Sequence, residues 1–337
     1  MSMKKFGVAV AVILCALPLM ASNFRAADQV YVPAAGKVAS FASDIYVSNV
    51  NSFPVTVSVI ASSSPNGSQT TFTNLFTLAA NEHREFIDFV GSAQPNGLGL
   101  NGFLGQLIFN GCKQGTSCGS DTQDPNTGIS PNFADITVES RIYSTGNGTT
   151  GQLFSGYPWY NFASQDQQNN GLDTVFIVGL RQTASQTGTL GNYRANIGLA
   201  NASQFSNTQM VVKLFRPDGS RCGTDFTINL GPLGHTQQNL GSIPQFTGCT
   251  GTFWAQVSQQ NSTAVTDGSS PASCGTTGCA GFFAYGSVLD DVTNDATTLE
   301  PQYQKSLNAA QIACIYPAPD QTITCKSTPK MRRSVRH

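Results

Sequence analysis

Few residues in this 337-residue chain are of types and spacings that do chemistry, and the spacing decides how far each can be taken. Gly115-Thr116-Ser117-Cys118-Gly119 fits Gly-x-Ser-x-Gly, a hydrolase nucleophile pattern. That pattern works on a tight strand-to-helix turn, with the serine exposed beside oxyanion donors. Here it lies in a polar loop with no helical periodicity after it, so it reads as a coincidence of a Gly- and Ser-rich chain. Gly97-Leu98-Gly99-Leu100-Asn101-Gly102 has dinucleotide-fingerprint spacing, but its glycines would have to open a helix aimed at pyrophosphate. Phe103 to Phe109 reads as strand, which removes that chemistry. His83 and His235 lie 152 positions apart in similar surroundings, while His337 is in the tail. No carboxylate or cysteine keeps a fixed spacing to both, so each reads as a locally hydrogen-bonded strand start rather than half of a metal or acid–base pair. No catalytic residue is assigned and no cofactor is expected.

Two further sets could bind rather than react. Asp290, Asp291, Asn294 and Asp295, with Glu300 nearby, form the one oxygen-rich cluster suited to calcium. They lack a six-position ligand loop, so a hairpin turn with Asp and Asn satisfying local backbone is the preferred reading. Tyr157, Trp159 and Tyr160 could stack on sugar rings, or could pack a seam between two modules. Trp254, in the strand Thr252 to Val257, is expected in a core.

What must position these residues is a repeat. Sliding Asp44–His83 by 152 positions lays it without a gap on Asn196–His235. Asn49 falls on Asn201, Val59 on Val211, Pro65-Asn66-Gly67-Ser68 on Pro217-Asp218-Gly219-Ser220, Leu78 on Leu230 and His83 on His235. A turn, a leucine and a histidine at constant spacing argue for one structural unit used twice. Within it Ile45 and Val47, then Val55, Val57 and Val59, alternate with polar residues, with turn signals every ten residues or so. This predicts an all-β chain of antiparallel sandwiches. The expected organisation is a signal peptide over 1–21, a sandwich over 28–160, a linker over 161–172 and a second sandwich over 173–303. An extension over 304–337 follows, in which Tyr303 to Ala313 has the one helical pattern.

Composition bounds the setting. Lys4 and Lys5, an apolar run from Phe6 to Leu17 and small residues after it have the layout of a secretory leader, too short to span a bilayer comfortably. Cys15 belongs to that leader. Eight cysteines remain, an even set that reads as disulfides in an exported chain. Connectivity does not follow from sequence; nearest-neighbour pairing gives Cys112–Cys118, Cys222–Cys249, Cys274–Cys279 and Cys314–Cys325. Between Ser22 and Cys325 there are 11 basic against 19 acidic residues, which argues against nucleic acid as a partner. The basic charges cluster only in the tail, from Lys326 to Arg336, and no later segment is apolar enough to cross a membrane.

Several stretches carry a resemblance. Val32-Pro33-Ala34-Ala35, Asp44-Ile45-Tyr46-Val47-Ser48-Asn49, Gly179-Leu180-Arg181-Gln182, Arg194 to Asn201 and Phe283 to Asp290 are similar to tandem immunoglobulin-like β-sandwich modules of secreted bacterial proteins. The resemblance covers about Tyr31 to Pro301 and implies fold and export, not catalytic residues. The expected function is an exported, non-enzymatic structural or interaction protein whose partner is an unidentified protein or glycan at the cell surface. The alternatives are a carbohydrate-binding module using the junction aromatics, and a hydrolase of unknown type.

Overall fold

The computed structural model describes residues 26–116, 118, 132–144, 151–158, 163–164, 174–183, 191–203, 206–264, 281–293 and 295–304. Residues 1–25, which hold the expected leader, and Ser117, Trp159, Tyr160, Cys274, Cys279, Asn294, Cys314 and Cys325 lie outside them. Apart from single 3-10 turns at Leu240–Ser242 and Pro244–Phe246, the described residues are strands and their connections. Alternating β-branched and aromatic residues bounded by Gly, Pro, Asn and Ser leave little else to form.

Among the described residues nine strands come first: β1 (Gln29–Lys37), β2 (Phe41–Asn49), β3 (Val55–Ser62), β4 (Gln69–Leu78), β5 (His83–Phe86), β6 (Phe103–Lys113), β7 (Ile136–Ser144), β8 (Gly151–Ser155) and β9 (Tyr157–Pro158). They form two sheets, β4-β3-β6-β1-β9 and β5-β2-β7-β8. Ten follow: β10 (Ala163–Ser164), β11 (Thr174–Gln182), β12 (Tyr193–Asn201), β13 (Ser206–Phe215), β14 (Phe226–Leu230), β15 (His235–Asn239), β16 (Gly251–Ala264), β17 (Gly281–Asp290), β18 (Ala296–Leu299) and β19 (Gln302–Gln304). Their sheets are β14-β13-β16-β11-β19 and β15-β12-β17, with β10 and β18 also pairing β17. Among the described residues every pairing is antiparallel, and no sheet mixes strands from the two sets. The strand order is the same in both. β19 takes Tyr303, and so the start of the stretch with a helical pattern, into a sheet; the rest of that stretch lies outside the described residues.

The alternation sends one face of each strand inward. Ile45 and Val47 of β2 meet Val55, Val57 and Val59 of β3 and Leu107 and Phe109 of β6 in one core. Ile197 and Leu199 of β12 meet Met210, Val212 and Leu214 of β13 and Phe253 and Ala255 of β16 in another. Each such side chain taken out of water contributes about 1.5–3 kcal/mol before conformational entropy is counted.

The repeat recurs at the level of single hydrogen bonds. The Asn49 amide donates to the Ala79 carbonyl (2.7 Å) and accepts from the Asn51 N–H (2.9 Å). At the equivalent positions the Asn201 amide donates to the Gly231 carbonyl (2.8 Å) and accepts from the Ser203 N–H (2.9 Å). Both elbows pass through a left-handed residue, Asn81 (φ 56°) and Leu233 (φ 53°). The gapless alignment fails in one strand, however. Val55 and Val57 pair with Leu78 and Phe76 as Thr208 and Met210 pair with Leu230 and Ile228, one position further on in β13 than a constant offset of 152 requires. Val211 therefore takes no part in the core cluster that Val212 joins. One extra residue before β13 and one fewer after it restore the offset at Gly67 and Gly219, and a one-residue slip exchanges the faces of a strand.

Two of the expected disulfides are present. Cys112–Cys118 ties a hairpin after β6, and Cys222–Cys249 closes a 27-residue span across the connections flanking β14 and β15. Among the described residues no helix is long and apolar enough to cross a membrane.

Candidate functional site: the seam between the two sheet pairs

A third apolar cluster belongs to neither core. It joins Tyr31, Ala34, Ile108, Phe154 and Tyr157 of the first strand set to Ala200, Ala202, Leu233, Phe283 and Tyr285 of the second. Tyr31 and Ile108 alternate with core Val30 and Phe109, so the outward face of the β3-β6-β1 sheet supplies this surface. It meets the outward face of β12, β15 and β17. Tyr157 stacks on Phe283 (centroids 5.2 Å, 13°), and Phe154 meets Tyr285 edge-on (5.4 Å, 80°).

Polar groups along the seam find partners across it. The Tyr31 hydroxyl donates to the Ala202 carbonyl (3.1 Å), and Ser62 Oγ (2.6 Å) and Gln106 Nε2 (2.7 Å) both donate to the Leu233 carbonyl. Backbone joins in: Gly231 N–H donates to Pro65 O (2.7 Å) and His235 N–H to Ser64 O (3.0 Å). Gly67 permits the approach, and Gly198 makes room within its own sheet for a ring of the seam. Gly67 (φ +79°) lies so close to Pro232 that a Cβ would fall 1.8 Å from its carbonyl oxygen. At Gly198 a Cβ would fall 2.0 Å from the Tyr285 ring, which lies over the strand there.

Beside the cluster the two faces part to leave a cleft of about 360 Å³. This is near the lower end of the usual range for ligand pockets. Phe41, Leu104, Ile142, Phe154 and Leu289 make its apolar walls, and Gln152, Arg194, Asn196, Gln237, Asn239 and Ser287 supply polar groups. Strand alternation places Asn196 beside Ser287, whose Oγ accepts from Asn196 Nδ2 (3.1 Å). Gln237 Oε1 accepts from the Tyr285 hydroxyl (3.0 Å), and Asn239 Oδ1 accepts from the Gly241 N–H (2.7 Å). Gln152 is 8% exposed, and its Nε2 has no hydrogen-bond partner. Arg194 Nε also has none and stands 3.7 Å from Asp291 Oδ1. Among the described residues Arg194 is the only ionisable one in the lining, and no acid–base pair of described residues faces the cleft.

The residues singled out in the sequence fall elsewhere. Tyr157 is 2% exposed and stacks its ring on Phe283 within the seam. His235 is buried in the seam. Its Nε2 lies 3.1 Å from the Tyr285 hydroxyl, and its ring bonds the Pro33 backbone. Burial takes its pKa down to about 4, against the opposing pull of the Pro33 bond, and burial likewise pushes the Tyr285 phenol up. His83 is exposed, with Nδ1 2.9 Å from Ser48 Oγ. The two histidines do not converge.

Asp290 behaves as a turn residue. Its Oδ1 accepts from the N–H groups of Thr293 (3.0 Å) and Val292 (2.9 Å), which hold its carboxyl below the usual range. Asp291 faces Arg194, Asp295 accepts from the Asp290 N–H through its carbonyl, and Asn294 lies outside the described residues. No group of three or more His, Cys, Asp or Glu among the described residues is placed to hold a metal. Trp254 is not a core residue. It alternates with buried Phe253 and Ala255, stands half-buried on the outward face, and stacks on Phe215 (4.1 Å, 7°) with Phe176 tilted against it (5.8 Å). Gly102 leads into strand β6, so the glycine run opens no helix.

No protein-family model matches the chain. No curated protein matches it. Among solved structures, Bacteroides uniformis beta-glucuronidase 2 covalently bound to cyclophellitol-6-carboxylate aziridine is 12% identical with a TM-score of 0.13. A calcium-binding mutant of the same enzyme is 11% identical with a TM-score of 0.14. Each alignment covers 78% of this chain and 24% of the other, so the chain spans about a quarter of those structures' length. A likeness at that level bears on neither fold family nor activity.

Proposed function

We propose that the chain is an exported, non-enzymatic interaction protein of two tandem immunoglobulin-like sandwiches, which takes its ligand at the cleft where they join. The observation that carries this reading is the seam. Side-chain and backbone hydrogen bonds reach across it beside a continuous aromatic cluster, so the cleft between the sheet pairs keeps one shape. A cleft with a fixed shape loses little entropy when a ligand enters it. The lining supports binding over turnover, because amides, one hydroxyl and one guanidinium can hold a ligand but cannot exchange protons with it near neutral pH. Disulfides support an oxidising compartment. A carbohydrate-binding module using the junction aromatics remains the alternative; of those, Tyr157 is buried and Trp159 and Tyr160 lie outside the described residues.

The test is retention of the labelled protein on cell-envelope glycan and protein fractions, with the supernatant assayed for released sugars and peptides. Saturable retention without release is expected. Release that scales with protein concentration would show an enzyme, and no retention on any fraction would remove the interaction reading.

A further inference from the structure

Where the hydrogen bonds inside the cleft end determines what is left for a ligand. Asn239 and Gln237 each give their carbonyl oxygen to a neighbour within the protein, the Gly241 N–H and the Tyr285 hydroxyl. Their amide NH₂ groups remain. Ser287 Oγ already accepts from Asn196, so its O–H remains. Gln152 Nε2 and Arg194 Nε are buried in the lining without any hydrogen bond. A buried donor without a partner costs about 1–3 kcal/mol, which an acceptor brought by a ligand would recover. Against these donors stand two acceptors, the Asn196 Oδ1 and the Gln152 Oε1, so donors outnumber acceptors in the cleft and complement a ligand rich in oxygen lone pairs.

Charge narrows the class. Among the described residues one guanidinium is the only cation in the lining, and the Asp291 carboxylate stands behind it at 3.7 Å. A single guanidinium already near a carboxylate suits a monoanion; a phosphate dianion would meet Asp291 without a second cation. Opposite the polar groups, Phe41, Ile142, Phe154 and Leu289 offer apolar walls that suit the C–H face of a saturated ring. We propose that the cleft binds a sugar acid, one carboxylate carried on a hydroxylated ring, with the carboxylate at Arg194 and ring oxygens on the amides of Gln152, Gln237 and Asn239. This rests on the interaction reading above and gives its ligand a chemical class.

The experiment is isothermal titration of the purified full chain with D-glucuronate, D-galacturonate and N-acetylneuraminate, against D-glucose and acetate. At least one sugar acid is expected to bind about tenfold or more tightly than both controls, the worth of one charge-assisted hydrogen bond. Arg194→Gln should remove most of that preference and Gln152→Leu should weaken binding several-fold; Arg194→Gln should also lower the melting temperature because it leaves the buried Asp291 unpaired, Gln152→Leu should hold or raise it, and both should stay folded at the titration temperature. Equal binding of glucose would overturn the acid, and equal binding of acetate would overturn the sugar. Absence of any heat with all five probes would overturn the proposal. If envelope retention persists while the titrations stay silent, only the ligand class has failed; if both fail, the interaction reading has failed with it.

Discussion

The outward face of β2, β5 and β7 and the outward face of β12, β15 and β17 share one register and end in opposite surroundings. On the first, Asp44, Tyr46 and Ser48 of β2 stand beside Arg141, Glu139 and Thr137 of β7, with Glu85 and His83 of β5 opposite Tyr46 and Ser48. On the second, Asn196, Gly198 and Ala200 stand beside Ser287, Tyr285 and Phe283, with Gln237 and His235 opposite Gly198 and Ala200. The ion pair of Asp44 with Arg141 (3.6 Å) becomes the neutral Asn196–Ser287 bond (3.1 Å), and Glu139 becomes Tyr285. Asn81 at the elbow becomes Leu233 on the same left-handed backbone. Taking charge away, adding two aromatic rings and deleting one side chain at Gly198 turns a solvated sheet face into a covered one, because each charge left there would have to be desolvated.

The comparison can be broken by moving a residue from one face to the other. Tyr285→Glu, which installs the first face's residue on the second, buries a carboxylate beside Phe154 and should cost about 4 kcal/mol or more in urea unfolding at pH 7. The reverse change, Glu139→Tyr, should stay within about 0.5 kcal/mol. Equal effects would mean that the seam does not hold in solution.

Acid separates the faces next. His235 has a folded pKa of about 4, below its ordinary 6.5, so the unfolded chain takes up a proton first as pH falls. The stability this gives is fully present above pH 6.5 and is lost as pH falls towards about 4, roughly 3 kcal/mol in all. His235→Gln should flatten that part of the stability-versus-pH curve, while His83→Gln on the exposed face should leave its shape unchanged. The smallest effect tests what the halves share. Asn49→Ala and Asn201→Ala each remove the amide that holds an elbow, and should each cost about 2 kcal/mol, alike within error. A large inequality would mean that the covered face, and not the elbow itself, decides the cost.

Much of the fold was legible because alternation is a local signal. Ile45/Val47 and Val55/Val57/Val59 announced their inward faces, and the turns at Gly67 and Gly219 announced hairpins. The slip at β13 was hidden by Met210-Val211-Val212, a continuous apolar run in which either alternate could face inward. Trp254 was misplaced for a related reason: a tryptophan on the outward face reads as core unless its neighbours are counted. The cleft was illegible at its own positions. Gln152, Asn196, Gln237 and Asn239 are ordinary surface residues in sequence, and nothing local shows that a second sheet covers them. The available signal lay between the copies, in Asp44 against Asn196 and Glu85 against Gln237, where amides replace carboxylates.

The seam also orders events in time. Its bonds from Tyr31 to Ala202 and from Ser62 to Leu233 each join residues 171 positions apart in sequence. Contacts of such high contact order form after local strand pairing, because a long chain segment has to be closed first. A chain made from its N-terminus therefore completes the first sandwich while Tyr31 and Ile108 still face water, awaiting strands not yet synthesised. Through that interval the nascent protein carries an apolar patch that the finished molecule conceals.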